Sequence, residues 1–132
     1  MLIGSCLCGS IRYEVEGDPA RFYHCHCKRC RKSTGTGHAS NIMVEHGKLV
    51  FTEGKQFLRR YKVPEAKRFS RQFCGNCGSV VARDVPELEA VIIPAGSLDM
   101  EPPMRPQARI FWDSRAEWSC SDDLPRYSES PF

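Results

Sequence analysis

The chain has 132 residues, with 19 Lys plus Arg against 16 Asp plus Glu and a net charge of +3. This composition predicts one globular domain, 1–132, and excludes two full domains, a long disordered chain and a histone-like basic protein with bulk affinity for nucleic acid. No apolar run approaches the roughly 20 residues that span a bilayer, and the first residues lack the pattern of a secretion signal. We therefore expect a cytoplasmic protein with no membrane partner.

Alternating apolar and polar residues predict a mainly β chain of many short strands. The first predicted strand is 11–15, where Ile11, Tyr13 and Val15 alternate with polar residues before the turn at 17–19. Further strands are predicted, in chain order, at 41–45, 49–52, 57–61, 69–73, 79–83, 90–93 and 109–112. One short helix is predicted at 28–33, ending at Gly35, and three prolines at 102, 103 and 106 predict a surface loop. So many short strands leave a modest core, and we expect bound metal to supply part of the folding free energy.

Eight cysteines are the feature of the composition that most needs an explanation. In a reducing compartment such cysteines are seldom disulfides, and close spacing favours metal binding. Seven of the eight fall in tight clusters, which are Cys6 and Cys8, then Cys25, Cys27 and Cys30, then Cys74 and Cys77; Cys120 stands alone.

The segment Cys74-Gly75-Asn76-Cys77, followed by another glycine, has the form of a zinc knuckle. Zinc takes four ligands tetrahedrally, so this pair needs two more. Cys6 and Cys8 can supply them and complete a closed, structural site. Spacing alone does not prove which clusters meet.

Cys25, Cys27 and Cys30 form a second metal-binding motif, with three thiolates inside six residues. Three protein ligands leave one zinc position for substrate, which is the arrangement of a catalytic zinc. The alternative is a second structural site, closed by a fourth side chain. The candidates for that fourth ligand are Cys120, His24, His26 and His38.

Three thiolates around a divalent zinc give a net charge of −1, so bound water is acidified less than at a three-histidine site. A substrate thiol is the more suitable fourth ligand. Four basic residues next to this motif could offset the charge or bind a carboxylate of that substrate, or simply form a solvated face; they are Lys28, Arg29, Arg31 and Lys32.

Two other classes of protein also fit the cysteine pattern. In one, both zinc sites are structural and the chain is a non-catalytic interaction module. In the other, the same thiolates hold an iron–sulfur cluster, which would give visible absorption.

Four motifs follow one another along the chain: GSCLCGSIRY at 4–13, CHCKRCRK at 25–32, RQFCGNCGS at 71–79 and AGSLD at 95–99. In this order they resemble the glutathione-dependent formaldehyde-activating enzyme family, and the similarity covers nearly the whole chain. The resemblance implies a zinc-stapled β-tent, a mainly β fold of several short antiparallel sheets with few short helices.

The resemblance also implies two zinc ions per chain. One is structural, on the residues Cys6, Cys8, Cys74 and Cys77, and the other is catalytic, on the residues Cys25, Cys27 and Cys30. The implied activity is that of a carbon–sulfur lyase, which in reverse joins the thiol of glutathione to formaldehyde or another small carbonyl to give an S-hydroxymethylglutathione-type adduct. The implied partner is therefore a small-molecule thiol held at the second zinc.

Overall fold

The computed structural model describes residues 1–120 and 122–132. Its strands are β1 (Leu2–Ser5), β2 (Arg12–Glu16), β3 (Pro19–Cys25), β4 (Ala39–Glu45), β5 (Lys48–Glu53), β6 (Leu58–Lys62), β7 (Ser70–Cys74), β8 (Arg83–Val85), β9 (Ala90–Pro94) and β10 (Ala108–Ile110). Helix α1 (Lys28–Thr34) follows β3, and short 3₁₀ turns lie at Lys55–Phe57, Pro86–Leu88, Ala95–Ser97 and Trp112–Ser114.

The strands form three small sheets, so the mainly β architecture is confirmed. A three-stranded sheet has the order β1-β2-β5, a five-stranded sheet has the order β10-β3-β4-β9-β8, and β6 pairs with β7. All these pairs are antiparallel except β10 with β3, which is parallel. The long crossover between β3 and β10 permits the parallel pairing, since parallel neighbours cannot be joined by a tight turn.

The main core lies between the sheets and follows the alternation of the strands. Tyr13 and Val15 point inward from β2, and Ile42 and Val44 point inward from β4. On β9 four consecutive residues are buried, which is expected of a strand covered on both faces. This core covers one face of the five-stranded sheet. The residues that point to the opposite face line the site described below.

Most of the predicted elements are confirmed, with small shifts at their ends. Strands β2, β4, β5, β6, β7 and β9 and helix α1 lie where the patterns predicted them, and the prolines at 102, 103 and 106 lie outside helices and strands. Within the described residues, no helix has the length and apolar character required to cross a bilayer.

Two predicted strands were wrong in extent. At 79–83 only an isolated bridge from Val80 to Phe73 and the first residue of β8 are strand-like, because Val81 and Ala82 are buried consecutively and do not alternate. The strand predicted at 109–112 ends at Ile110, because Phe111 adopts a left-handed conformation with φ of 54°. Strands β1 and β3 were missed: β1 has only four residues, and the burial of β3 does not follow a strict period of two.

Candidate metal centres

Four cysteines from opposite parts of the chain meet at the first cluster. Cys6 and Cys8 follow β1, Cys74 is the last residue of β7, and Cys77 lies in the turn after it. Their sulfurs all lie within 4.8 Å of one another. The sulfurs of Cys6 and Cys8 are 3.6 Å apart, and those of Cys8 and Cys74 are 4.0 Å apart.

Backbone and side-chain donors surround these sulfurs. The N–H of Ile11 donates to Cys6 Sγ at 3.2 Å, the N–H of Asn76 donates to Cys74 Sγ at 3.3 Å, and Asn76 Nδ2 donates to Cys8 Sγ at 3.2 Å. Donors of this kind orient thiolate ligands and stabilise their charge.

The pKa values of three of these thiols differ in direction because their surroundings differ. Hydrogen bonds with Ser10 and Asn76 lower the pKa of the Cys8 thiol to about 7. Hydrogen bonds with Ser79 lower that of Cys77 to about 5. Burial raises the pKa of the Cys6 thiol. The exposed Cys8 and the half-buried Cys77 are therefore set up to carry negative charge.

The second cluster consists of Cys25, Cys27 and Cys30, whose sulfurs also lie within 4.8 Å of one another. Cys25 ends β3, Cys27 is the N-cap of α1, and Cys30 is in the first turn of that helix. The N–H of Cys30 donates to Cys27 Sγ at 3.3 Å, so the cap itself orients one sulfur. The hydrogen bond with Cys30 lowers the pKa of the Cys25 thiol to about 6, and the same contact raises the pKa of Cys30.

Both donor sets fit zinc. Zinc–sulfur bonds of about 2.3 Å in a tetrahedron place the sulfurs roughly 3.8 Å apart, which matches the distances in the first cluster. Zinc favours thiolates, and a set of four suits a closed site. The set of three is completed by no fourth described His, Cys, Asp or Glu within the same 4.8 Å.

Cys120, the main rival for the fourth position, lies elsewhere. Its sulfur is 3.1 Å from Arg109 Nη1 and 3.8 Å from His26 Nε2, and it belongs to neither cysteine cluster. Arg109 Nη1 is itself 3.3 Å from His26 Nε2.

The three histidines near the second cluster contact each other rather than join the cysteines. The rings of His24 and His38 lie 4.0 Å apart, and Ser40 Oγ is within 3.3 Å of the Nδ1 atoms of both. Burial, reinforced by the positive charges of His38 and Arg109, lowers the pKa of His24 to about 4. Burial also lowers the pKa of His26 and that of His38, and none of the three histidines belongs to the three-cysteine group.

A cavity of about 730 Å³ opens on the second cluster, and all three of its cysteines line the wall. Apolar walls include Phe69, Ile92 and Ile110. None of the described lining residues is acidic, whereas six are basic: Arg21, Lys28, Arg29, Lys67, Arg68 and Arg83. Such a cavity favours an anionic ligand with some apolar surface.

The sequence predicted only part of this basic wall. Lys28 and Arg29 line the cavity, but Arg31 and Lys32 do not. Arg83 was missed, because no motif marks it and it is 53 positions after Cys30 in the sequence. Burial lowers the pKa of Arg83, as does the charge of Arg60, whereas the charge on Cys30 raises it.

Comparison with known proteins gives three results. A sequence model of the family described as "Glutathione-dependent formaldehyde-activating enzyme" matches residues 1–114. A Halomonas elongata protein named "Putative glutathione-dependent formaldehyde-activating enzyme" is 29% identical over 125 residues, covering 89% of this chain and 79% of that protein. The crystal structure of a Rhodobacter sphaeroides protein is similar in fold, with a TM-score of 0.63 and 20% identity, covering 81% of this chain and 98% of that one. From the match over residues 1–114, the chain belongs to the glutathione-dependent formaldehyde-activating enzyme family.

Proposed function

We propose that the chain is a zinc-dependent enzyme that makes and breaks a carbon–sulfur bond between a thiol and a small carbonyl, with glutathione and formaldehyde as the reactants. The observation that carries this proposal is the three-cysteine cluster at the wall of a basic cavity, with no fourth protein ligand among the described residues. The family match supports the identity of the two reactants.

In this proposal Cys6, Cys8, Cys74 and Cys77 hold a structural zinc, and Cys25, Cys27 and Cys30 hold a catalytic one. When bound at the second site, zinc supplies a Lewis acid that lowers the pKa of a substrate thiol. The protein contributes the position of that metal. Cys25 is fixed by the end of β3, and Cys27 and Cys30 are fixed by the cap of α1.

The reaction conserves atoms and charge. The sulfur of the thiol bonds to the carbonyl carbon, the C=O bond becomes a C–O single bond, and the thiol proton ends on that oxygen to give an S-hydroxymethyl thioether. The lyase direction is the reverse, in which the carbon–sulfur bond breaks. The basic lining of the cavity favours a thiol that carries carboxylates, and its apolar walls can contact the carbon chain of that thiol.

Metal content and catalysis of exchange test the proposal together. We expect about two zinc ions per chain in the wild type and in Cys120→Ser, and one in Cys27→Ser. Exchange of ¹³C-formaldehyde with S-hydroxymethylglutathione, measured by NMR, should be accelerated by the first two proteins and not by Cys27→Ser.

The matched serine variants make the outcomes distinct. If Cys120→Ser loses one zinc, Cys120 closes the second site and the catalytic assignment is wrong. If the wild type holds two zinc ions but does not accelerate exchange, the activity is wrong. Iron and visible absorption in place of zinc would contradict the metal assignment.

A further inference from the structure

Arg83 differs from the other basic residues of the cavity. Arg21, Lys28, Arg29, Lys67 and Arg68 are exposed, and water can solvate their charges. Arg83 is half-buried, and no ion pair or hydrogen bond between described residues includes its guanidinium. Removing a cation from water is costly unless an anion compensates it, so this side chain needs a negatively charged partner.

The strand register places Arg83 on the face of the sheet that carries the second cluster. Arg21 on β3 pairs with Met43 on β4, Met43 pairs with Ile92 on β9, and Ile92 pairs with Arg83 on β8. All four residues of this row line the cavity, as does Cys25, which is an even number of positions from Arg21 on β3. Arg83 and Cys25 therefore line the same cavity from different strands.

The separation of these two residues suits an extended ligand. Strands β3 and β8 are three strand spacings apart, about 14 Å, and Cys25 lies four residues along β3 from the row of Arg83, about 13 Å further, so the two backbones are roughly 19 Å apart. The side chains of Arg83 and of the cysteines shorten that gap from its two ends, and a tripeptide-sized chain spans at most about 10 Å. One end of such a ligand can reach the cysteines while its other end reaches the guanidinium.

The thiolates of the cluster do not by themselves satisfy Arg83. Its guanidinium carries five N–H donors in a planar fork that matches a carboxylate, and among the described residues none of them is hydrogen-bonded to a cysteine sulfur. A ligand carboxylate would satisfy two of these donors at once.

We propose that Arg83 binds a carboxylate of the substrate inside the cavity and so holds the thiol end at Cys25, Cys27 and Cys30. This inference rests on the proposed function, because it takes the ligand to be a thiol that carries carboxylates. It assigns to Arg83 the role of a substrate-anchoring residue.

Binding of a ligand without a free thiol tests this role separately from catalysis. S-methylglutathione and its dimethyl ester differ in carboxylate charge, and calorimetry with the zinc-loaded protein gives the dissociation constant of each. The variants are Arg83→Gln, Arg83→Lys and the control Arg60→Gln. Arg60 is an exposed cation close enough to affect Arg83 but does not line the cavity.

The wild type should bind the acid about tenfold or more tightly than the ester, as expected for loss of a charged hydrogen-bonded pair. Arg83→Gln should lose most of this preference, with any remainder due to the exposed basic residues of the cavity, and its zinc content should be unchanged. Arg83→Lys should keep part of the preference because it keeps the charge but loses the fork. Arg60→Gln should change the preference about twofold or less, as expected for a screened surface charge.

Three results would overturn the inference. The first is a wild type with no preference for the acid over the ester, and the second is an Arg83→Gln variant that keeps the full preference. The third is an Arg83→Gln variant that loses a zinc ion, which would show that Arg83 only offsets the negative charge of the cysteine cluster. If Arg83→Gln does not fold, the inference is tested by comparing the preference for the acid over the ester in the wild type with that in Arg83→Lys. An equal preference in the two proteins would overturn it. The protein could show a preference for the acid that depends on Arg83 and yet not accelerate formaldehyde exchange. In that case Arg83 is still a substrate anchor, and the proposed reaction is wrong.

Discussion

Among single residues, Tyr13 is the largest fully buried side chain, and its hydroxyl lies 2.6 Å from Ser97 Oγ. The ring also fills the space above Gly4, where a Cβ atom would collide with it. One polar contact therefore joins β2 to the 3₁₀ turn after β9 across the core. The alternation of 11–15 predicted that Tyr13 points inward. Its hydrogen-bond partner Ser97 lies 84 positions away, and no sequence pattern indicates it.

Burial raises the pKa of Tyr13 to about 12 from its usual value of 10. Because the unfolded chain loses this proton at lower pH than the folded one, the free energy of unfolding should fall as pH rises from about 10 to 12. The full loss is about 2.7 kcal/mol for two pKa units.

Urea unfolding of the wild type and of Tyr13→Phe between pH 9 and pH 11.5 measures this effect. Tyr13→Phe should be less stable at pH 9 and should lose less stability on going to pH 11.5. Parallel pH profiles for the two proteins would show that Tyr13 ionises equally in both states.

At the scale of elements, α1 is a short helix whose N-cap is also a candidate metal ligand. Cys27 Sγ accepts the cap hydrogen bond, and Gly35 ends the helix in a left-handed conformation with φ of 70°. A helix of seven residues is not stable alone, so its position depends on Cys30 and on packing against β4. The helix was predicted from sequence with the help of the local stop signal at Gly35, whereas the Cys27 cap is seen only in the structure.

The two roles of Cys27 can be separated by substitution. Cys27→Ser keeps a good N-cap, whereas Cys27→Ala removes it, and both remove a thiolate. We expect each variant to lose one zinc ion per chain. Cys27→Ala should be less stable than Cys27→Ser by about 1 kcal/mol, measured by chemical unfolding with metal analysis of the same samples.

Equal stability of the two variants would mean that the cap contributes nothing. Full zinc content in both would mean that Cys27 is not a ligand.

At the scale of the whole molecule, the four-cysteine cluster joins separate sheets. Cys6 and Cys8 follow a strand of the three-stranded sheet, and Cys74 ends a strand of the two-stranded sheet. Each sheet alone is small, so a metal that links them should contribute strongly to folding. That residues 1–132 form one domain remains a prediction.

Loss of this metal should affect the entire fold. We expect Cys74→Ser to abolish the cooperative thermal transition of the wild type, because a structural zinc is worth on the order of 10 kcal/mol. Cys25→Ser, at the other cluster, should retain a cooperative transition at lower temperature. Differential scanning calorimetry with zinc analysis compares them. A Cys74→Ser protein that melts like the wild type would contradict a structural role for the cluster.

The sequence by itself determined most of the strands that alternate, the helix with its C-terminal glycine and the grouping of cysteines two or three residues apart. These features depend on backbone geometry over a few residues, which spacing encodes directly. Strand β3 lacked that alternation, and the segment 79–83 has three consecutive apolar residues that resemble a short buried strand, so tertiary packing decided both.

Only the tertiary structure decided which cysteine clusters meet, where Cys120 lies and that Arg83 shares a cavity with the second cluster. Each is a contact between residues far apart in the chain, and it follows from the order and register of strands in the sheets. Sequence spacing carries no distance information across such crossovers. The pairing of Cys6 and Cys8 with Cys74 and Cys77 was one option among several until the sheets brought them together.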